Sequence, residues 1–437
     1  MNPRGWNSGR ELRLWNLWQH CGNAVSVYHR HVRRLVRLLV ISAVLLVALA
    51  IVGLPYVDAL AFIARAASLP GAAQTLAEWR ADPFVAGPIQ KVPTRHGAID
   101  AQLYRPADGN SRRAVTLVPG VHMDGIAETR LVGMAEDLAA SGFTVLTVAS
   151  PDLQRFRITP ASTDIIEDAA MWLAAGANGA IEPPDDGKVG MLGISFSGGL
   201  SIVAAGRPAL REKVSYVMSF GGHGDLQRVM RYLSSGHAPA MPPLGEAADN
   251  VAGAEHVAIR PPHDYGVSVV LLGVADQLVP ADQVKPLRQG VLTFLAGSSL
   301  DMIDKPRAEI EFQRAREIAA GLPEPSRTLL TYVNERAVDK LGPILTPVVE
   351  SLATRDEHAS LSPERAAAPA APVYLLHGAE DNVIPSVETV LLTHYLRDKT
   401  EVHAVLSGLI THAEVDRSAA AIEVWRLVGF WRSLMAQ

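Results

Sequence analysis

Between residues 113 and 220 the sequence alternates between short apolar segments and amphipathic ones, and this alternation restricts the fold more than any other feature. The apolar segments read as strands: AVTLVPG, FTVLTVASPD, KVGMLG and VSYVMSFGG. The segments between them read as helices, ETRLVGMAEDLAASG, TDIIEDAAMWLAAGA and GGLSIVAAG, the second of which we expect to begin at Thr163 or Asp164. Apolar strands separated by helices indicate a mostly parallel sheet with helices on both faces. We therefore predict an α/β fold.

The alternation is interrupted once. Before the first of these strands, QKVPTRHGAIDAQLYRPA predicts a hairpin that turns at His96-Gly97. After the last of them, most segments are typical of helices until the Pro/Ala-rich linker RAAAPAAP, where strands resume with PVYLLHG and EVHAVLSG. A last helix follows, in which Trp425, Phe430 and Trp431 form the predicted packing face. We therefore divide this part into a first core segment (89–225), a large, mainly helical cap insertion (226–368) and a second core segment (369–437).

The amino-terminal part contains LLVISAVLLVALAIVGLPYV, a run without charge between Arg37 and Asp58. A helix of roughly 20 such residues spans the hydrocarbon layer of a bilayer. Seven arginines precede the run, opposed only by Glu11. The positive-inside rule then predicts a single-pass membrane protein with a basic cytoplasmic segment (1–37), a transmembrane helix (38–57), a helical linker (58–88) and a catalytic domain on the non-cytoplasmic side.

Two alternatives to an uncleaved anchor stay open. A signal peptide could be cleaved after Ala48-Leu49-Ala50 or after Ala59-Leu60-Ala61, although the basic region is long for one. The run could also form a buried core helix.

Composition excludes several classes of function. The formal net charge is −5, so no basic field favours nucleic acid. Cys21 is the only cysteine, which excludes an intrachain disulfide and thiolate metal sites. No HExxH pattern or cluster of His and Asp suggests a catalytic metal. We expect no cofactor, no metal and no nucleic-acid partner.

The segment VGMLGISFSGG, residues 189–199, passes from a strand into a helix through Gly-x-Ser. This is the context of a nucleophile elbow, where a serine on a sharp turn carries its Oγ above the sheet. A turn directly after VGML places Ser195 at the apex, with small residues at 193 and 197–199. The amide of Phe196 would then point at a developing oxyanion. Ser197 at the apex, or a turn without chemistry, remain as alternatives.

These features resemble those of the α/β-hydrolase superfamily, of the esterase/lipase-like or dienelactone-hydrolase-like branch. The strict Gly-x-Ser-x-Gly pattern is altered here, because Ser197 holds the last position. LLHGAEDNVIP resembles the family's acid loop, with Asp381 as the acid, and SGLITHA resembles the loop of the catalytic histidine, His412. The resemblance implies an α/β-hydrolase fold and a Ser195-His412-Asp381 triad. It also implies an oxyanion hole formed by the amides of Val121 and Phe196, with His122 as a weaker alternative to Val121.

Other residues of the sequence could fill the same roles. Asp276, in GVADQLVP, mimics an acid loop but also fits a buried helix, and Asp225 follows a strand where some family members carry the acid. His122 and His223 either line the pocket or are structural. The resulting prediction is a membrane-anchored serine hydrolase that cleaves small-molecule or lipid carboxylic esters through an acyl-enzyme. A peptidase or amidase of the same fold and a catalytically silent scaffold are the alternatives. The oligomeric state is left open.

Overall fold

The structure is a computed structural model that describes residues 8–109, 111, 113–241, 251–301, 303–352, 360–410 and 417–437. The chain divides into two compact units, Met1–Val57 and Asp58–Gln437. The second unit contains every predicted catalytic residue.

The first helix, α1, covers Ser8–Ala66 and is much longer than the predicted transmembrane run. Its section Arg34–Ala66 is the one helix, among the described residues, that is long and apolar enough to cross a membrane, with a mean hydropathy of 2.9 in an 18-residue window. None of that window is buried. The helix continues into the predicted linker region, where Phe62 is buried against Trp431 of the last helix.

The second unit is built on a sheet of nine strands. They are β1 (Phe84–Thr94), β2 (Gly97–Pro106), β3 (Arg113–Val118), β4 (Phe143–Val148), β5 (Val189–Ile194), β6 (Val214–Phe220), β7 (Val251–Ala252), β8 (Val373–Gly378) and β9 (Val402–Ser407). Their order across the sheet is β1-β2-β4-β3-β5-β6-β8-β9-β7. The strands from β4 onward in that order run parallel, whereas β1, β2 and β4 pair antiparallel. The predicted mostly parallel sheet is confirmed.

The central strands are apolar because both of their faces are covered. Every residue of β4 and β8 is buried, as are five of the six residues of β5. The helices outside the insertion are α2 (Ala72–Trp79), α3 (Thr129–Ala139), α4 (Pro151–Gln154), α5 (Pro160–Ala174), α6 (Phe196–Ala205), α13 (Val387–Leu396) and α14 (Arg417–Met435). Helix α5 begins at Pro160, earlier than Thr163 or Asp164, because the fixed φ of proline suits the first helical position.

Between β6 and β8 the described chain is mainly helical. It contains α7 (Leu226–Ser235), α8 (Asp264–Leu278), α9 (Ala281–Leu300), α10 (Lys305–Gly321), α11 (Ser326–Asn334) and α12 (Val338–Leu352), together with the short strand β7. The helical pattern of VNERAVDKLGPILTPVVESLATR (333–355) is broken between α11 and α12, where Arg336 has a φ of 55°.

A buried ionic network ties both ends of this insertion to the core. Arg228 on α7 bonds Glu388 on α13 through Nε (2.6 Å) and Nη2 (2.8 Å), and it bonds Glu364 with its two Nη atoms at 2.8 and 2.6 Å. The Glu388 side chain is fully buried and also accepts the amides of Gly224 and Asp225. Burial raises the pKa of Glu388, and the positive charge of Arg228 partly offsets this rise.

Candidate active site

Ser195 occupies the turn between β5 and α6. Its φ of 57° and ψ of −134° lie in a region that costs a residue with a side chain about 1–3 kcal/mol. The conformation is held from the neighbouring strand, since the Ser195 amide donates to the carbonyl of Phe220 at 2.7 Å. Ser195 remains partly exposed although the residues of α6 behind it are buried. The structure therefore places Ser195, and not Ser197, at the apex of the strained turn.

Ser197 has a structural position instead. It is fully buried, and its Oγ accepts the amide of Ile194 at 2.8 Å. The same oxygen lies 2.9 Å from the carbonyl of Val118 at the end of β3 and 2.7 Å from that of Ile194. This hydroxyl ties the elbow to the adjacent strand, which gives a physical reason for serine where the family pattern has glycine.

Two buried residues, Val121 and Phe196, lie at or next to the elbow. Gly120, in the loop after β3, packs so closely on the elbow that a Cβ there would stand 3.2 Å from the Ser195 Cβ. Val121 follows it, and Phe196 is the first residue of α6; their exposed fractions are 7% and 3%. Within the described part of the chain, neither main-chain N–H donates to a protein acceptor. Buried N–H groups without partners are rare, and a pair of them beside a serine is suited to hold an oxyanion.

Asp381 lies in the loop that follows β8. Its Oδ1 accepts the amides of Val383 and Ile384 at 2.8 and 3.0 Å, which fixes the carboxylate. Its Oδ2 is 3.5 Å from Nε2 of His377 and faces Gly221 at the end of β6. The carboxylate is partly exposed and retains acceptor capacity on Oδ2.

His377 is a residue of this site that the sequence did not single out. It is fully buried at the end of β8, with Nδ1 2.8 Å from the Thr389 hydroxyl and Nε2 3.0 Å from the carbonyl of Ile384. Both ring nitrogens are engaged, so His377 supports the acid loop and is not placed to act as a general base.

His412 lies outside the described residues. The chain can be followed to Gly408–Ile410, a single turn directly after β9. β9 is parallel to β8, and the amide of Ala379 donates to the carbonyl of Ser407 at 3.0 Å. The end of β9 at Ser407 therefore lies beside Ala379, at the start of the Asp381 loop. The structure packs Gly120, the residue before Val121, against Ser195, with Phe196 directly after the serine, and it places Asp381 two strands away at the same edge of the sheet.

The rival acids have other roles. Asp276 lies within α8 and pairs with Arg288 at 2.9 Å, so it is not in a loop after a strand. Asp225 caps α7 by accepting the amide of Arg228 and pairs with Arg365 at 2.9 Å. Among the described residues, no group of three or more His, Cys, Asp or Glu side chains could hold a metal ion.

The two rival histidines differ. His122, next to the proposed oxyanion donor Val121, is mostly buried, and its Nδ1 accepts the amide of Asp124 at 3.3 Å. Burial lowers its pKa, so the ring is neutral at neutral pH. His223 is fully buried beneath α6, with its ring centroid 5.7 Å from that of Phe196, and it does not line an open site.

His223 gives a prediction about acid stability. Its Nε2 lies 3.0 Å from the carbonyl of Leu361, and its buried Nδ1 has no partner among the described residues. Burial lowers its pKa from 6.5 to about 4. Because the pKa of His223 is lower in the folded state, the folded protein has its full free energy of unfolding above pH 6.5. Below that pH the cost of protonating the buried ring lowers the free energy of unfolding, by about 3 kcal/mol at pH 4. Urea unfolding of His223→Gln should show a correspondingly smaller loss over that range; equal losses in both proteins would contradict this origin.

Comparisons with known proteins give distant structural similarity only. No family model and no curated protein sequence matches the chain. It is similar to carboxyl esterase 2 from the fungus Tuber melanosporum (12% identity, 80% of this chain, 86% of the other, TM-score 0.38). It is also similar to an esterase from Pyrobaculum calidifontis (17% identity, 82% of this chain, 89% of the other, TM-score 0.35). An acylaminoacyl peptidase from Pyrococcus horikoshii is matched over less than half of its own length (12% identity, 84% of this chain, 43% of the other, TM-score 0.41).

The architecture itself identifies the fold. The mostly parallel sheet carries the strained serine turn between its central strand β5 and α6. The loop with Asp381 follows β8, and the last strand-to-helix connection follows β9. The second unit of this chain has the α/β-hydrolase fold.

Proposed function

We propose that this protein is a serine hydrolase that cleaves carboxylic esters. The observation that carries the proposal is Ser195 itself, held in a strained turn near the buried residues Val121 and Phe196, whose amides have no acceptor in the described part of the chain. A strained apical serine is costly, and such strain persists at functional sites. Unpaired buried amides are equally costly unless a ligand supplies the acceptor.

The proposed acylation uses the Ser195, His412 and Asp381 side chains and the two main-chain amides. His412 takes the proton from the Ser195 Oγ while this oxygen attacks the ester carbonyl carbon. The carbonyl oxygen becomes an oxyanion, which the amides of Val121 and Phe196 stabilise. When the tetrahedral intermediate collapses, the bond to the leaving alkoxide breaks, and His412 returns the proton to that oxygen. Asp381 orients the imidazole and stabilises its charged form.

Deacylation repeats this chemistry with water. His412 removes a proton from a water molecule, which attacks the acyl carbon of the Ser195 ester. The second tetrahedral intermediate releases the carboxylic acid, and the proton returns to the Ser195 Oγ. The free enzyme is thereby regenerated without a cofactor.

An activity comparison tests this proposal. The full-length chain, purified in detergent, would be assayed with p-nitrophenyl esters from acetyl to palmitoyl and with p-nitroanilides of the same acyl groups, against Ser195→Ala as the blank. We expect turnover of the esters well above that of the anilides. Preferential cleavage of the anilides would indicate an amidase instead. Turnover of neither by the folded protein would indicate a silent scaffold.

We further propose that residues 38–57 anchor the protein, with the catalytic unit on the non-cytoplasmic side. The seven preceding arginines support this orientation, and the apolar 18-residue window within Arg34–Ala66, none of which is buried, supports the anchor.

The single cysteine provides a labelling test of this orientation. In intact cells a membrane-impermeant maleimide should not reach Cys21, but it should label Ile310→Cys, an exposed position on α10, in a Cys21→Ser background. Labelling of Cys21 from outside, or protection of position 310, would reverse the proposed orientation. Absence of residues 1–50 from the mature protein by mass spectrometry would show a cleaved signal peptide.

A further inference from the structure

A segment of the insertion lies directly along the loop that carries Asp381. This segment, residues 258–265, which we call the strap, leads into α8. Its main chain and side chains contact three residues of the acid loop, Ala379, Glu380 and Asn382. The contacts are the Ala258 amide to the Ala379 carbonyl (3.4 Å), an Arg260–Glu380 ion pair (2.5 Å), Asn382 Nδ2 to the Pro261 carbonyl (3.3 Å) and the His263 amide to the Asn382 carbonyl (2.8 Å).

The far end of the strap contacts the oxyanion loop. Tyr265 donates its hydroxyl to the carbonyl of Val121 at 2.7 Å, and its ring stands edge-on to Phe156 at 6.1 Å. Burial raises the pKa of Tyr265, so the hydroxyl stays protonated and remains a donor throughout the working pH range.

The loop around Val121 is fixed upstream by Gly120, which packs on the Ser195 elbow, whereas the described hydrogen bonds on its downstream side are local. Downstream of Val121, the His122 carbonyl accepts the amide of Gly125 at 3.1 Å, and His122 Nδ1 accepts that of Asp124. Both contacts are internal to the loop and do not fix it relative to Ser195. The bond from Tyr265 is made to another part of the chain, 144 residues away. An oxyanion donor is effective only when it is held in place before the charge develops.

We propose that Tyr265 is a positioning residue for the oxyanion hole, through which the insertion holds the Val121 peptide in register with Ser195. The strap thereby connects the acid loop to the oxyanion loop. This inference rests on the proposed function, since it assigns a role within that reaction.

The test is Tyr265→Phe in the full-length protein, which removes the hydroxyl and keeps the ring against Phe156. Loss of one orienting hydrogen bond should lower kcat for an ester about tenfold. The KM should stay within about twofold of the wild-type value, because binding of the ester in its ground state does not depend on the oxyanion donors. The Ki of a trifluoromethyl ketone, whose adduct with the serine carries an oxyanion, should rise by the same factor as kcat falls. Replacing Tyr265 with 4-aminophenylalanine restores a donor and should recover part of the loss.

Tyr104→Phe is the matched control, since it also removes a hydroxyl from a buried ring, here bonded to Gln102 on β2 at 3.0 Å. It should lower the melting temperature about as much as Tyr265→Phe without changing kcat. Hydrogen exchange of peptides that cover residues 119–125 should accelerate in Tyr265→Phe and not in Tyr104→Phe. If the wild type is active and Tyr265→Phe shows unchanged kcat or unchanged hydrogen exchange, the inference about Tyr265 is overturned and the proposed function stands. A folded but inactive wild type would overturn the proposed function, and the inference with it.

Discussion

Replacing Ser195 with alanine is expected to lower kcat/KM for an ester by about 10⁶-fold, because the attacking oxygen is removed. Asp381→Asn should lower it by about 10⁴-fold, because the imidazole loses the group that orients it and stabilises its charge. Both side chains are partly exposed, and the main chain around them is fixed by its own hydrogen bonds. The melting temperatures of the two variants should therefore stay close to that of the wild type.

Ser197→Ala is the control two residues away. It removes a buried hydroxyl that bonds the Ile194 amide and contacts the Val118 carbonyl, so it should lower the free energy of unfolding by about 1–3 kcal/mol. The folded fraction should still hydrolyse esters. The assignment of the two serines would be reversed if Ser197→Ala were inactive while folded and Ser195→Ala retained activity.

Gly193→Ala should lower the activity on the order of 10²-fold without changing a catalytic group. A Cβ at this position would overlap the carbonyl oxygen of Ser197 and stand 2.5 Å from its carbonyl carbon and 2.6 Å from Oγ of Ser201. Main-chain atoms cannot rotate away, so the start of α6 must shift and carry Ser195 with it. A displacement of about 1 Å costs on the order of 10²-fold in rate. Overpacking of this kind should also lower the free energy of unfolding by about 3 kcal/mol.

Gly133→Ala on α3 is the matched substitution. No atom lies within 4 Å of a Cβ at Gly133, so alanine should raise the free energy of unfolding by about 0.5–1 kcal/mol and leave activity unchanged. Equal behaviour of the two glycine variants, in urea unfolding and in the ester assay, would contradict the tight elbow.

The sheet could be predicted from the sequence because its signals are local. The runs around Val115, Val145 and Val217 are apolar on both faces, and the glycines and helices that bound them follow known patterns. Boundaries were less accurate where turn chemistry decides them, as at Pro160, or where a positive φ breaks a helical pattern, as at Arg336. Trp425 was wrongly assigned to the packing face: it is 65% exposed, whereas Phe430 and Trp431 are buried.

The candidate site also contains some features that local sequence patterns indicate and others that they do not. The turn at Ser195 and the loop of Asp381 each carry a short pattern, so the sequence could indicate them. The position of Ser197 against β3 and the bond from Tyr265 to Val121 depend on contacts between distant parts of the chain. No local pattern encodes such contacts. The catalytic role of His412 stays a prediction, because this residue lies outside the described part of the chain.

The most direct measurement is the position of a covalent adduct. The folded full-length protein would be treated with a fluorophosphonate, digested and analysed by mass spectrometry, beside Ser195→Ala and Ser197→Ala. A nucleophilic Ser195 predicts an adduct on Ser195 in the wild type and in Ser197→Ala, and none in Ser195→Ala. An adduct on Ser197, or no adduct on the folded wild type, would contradict it.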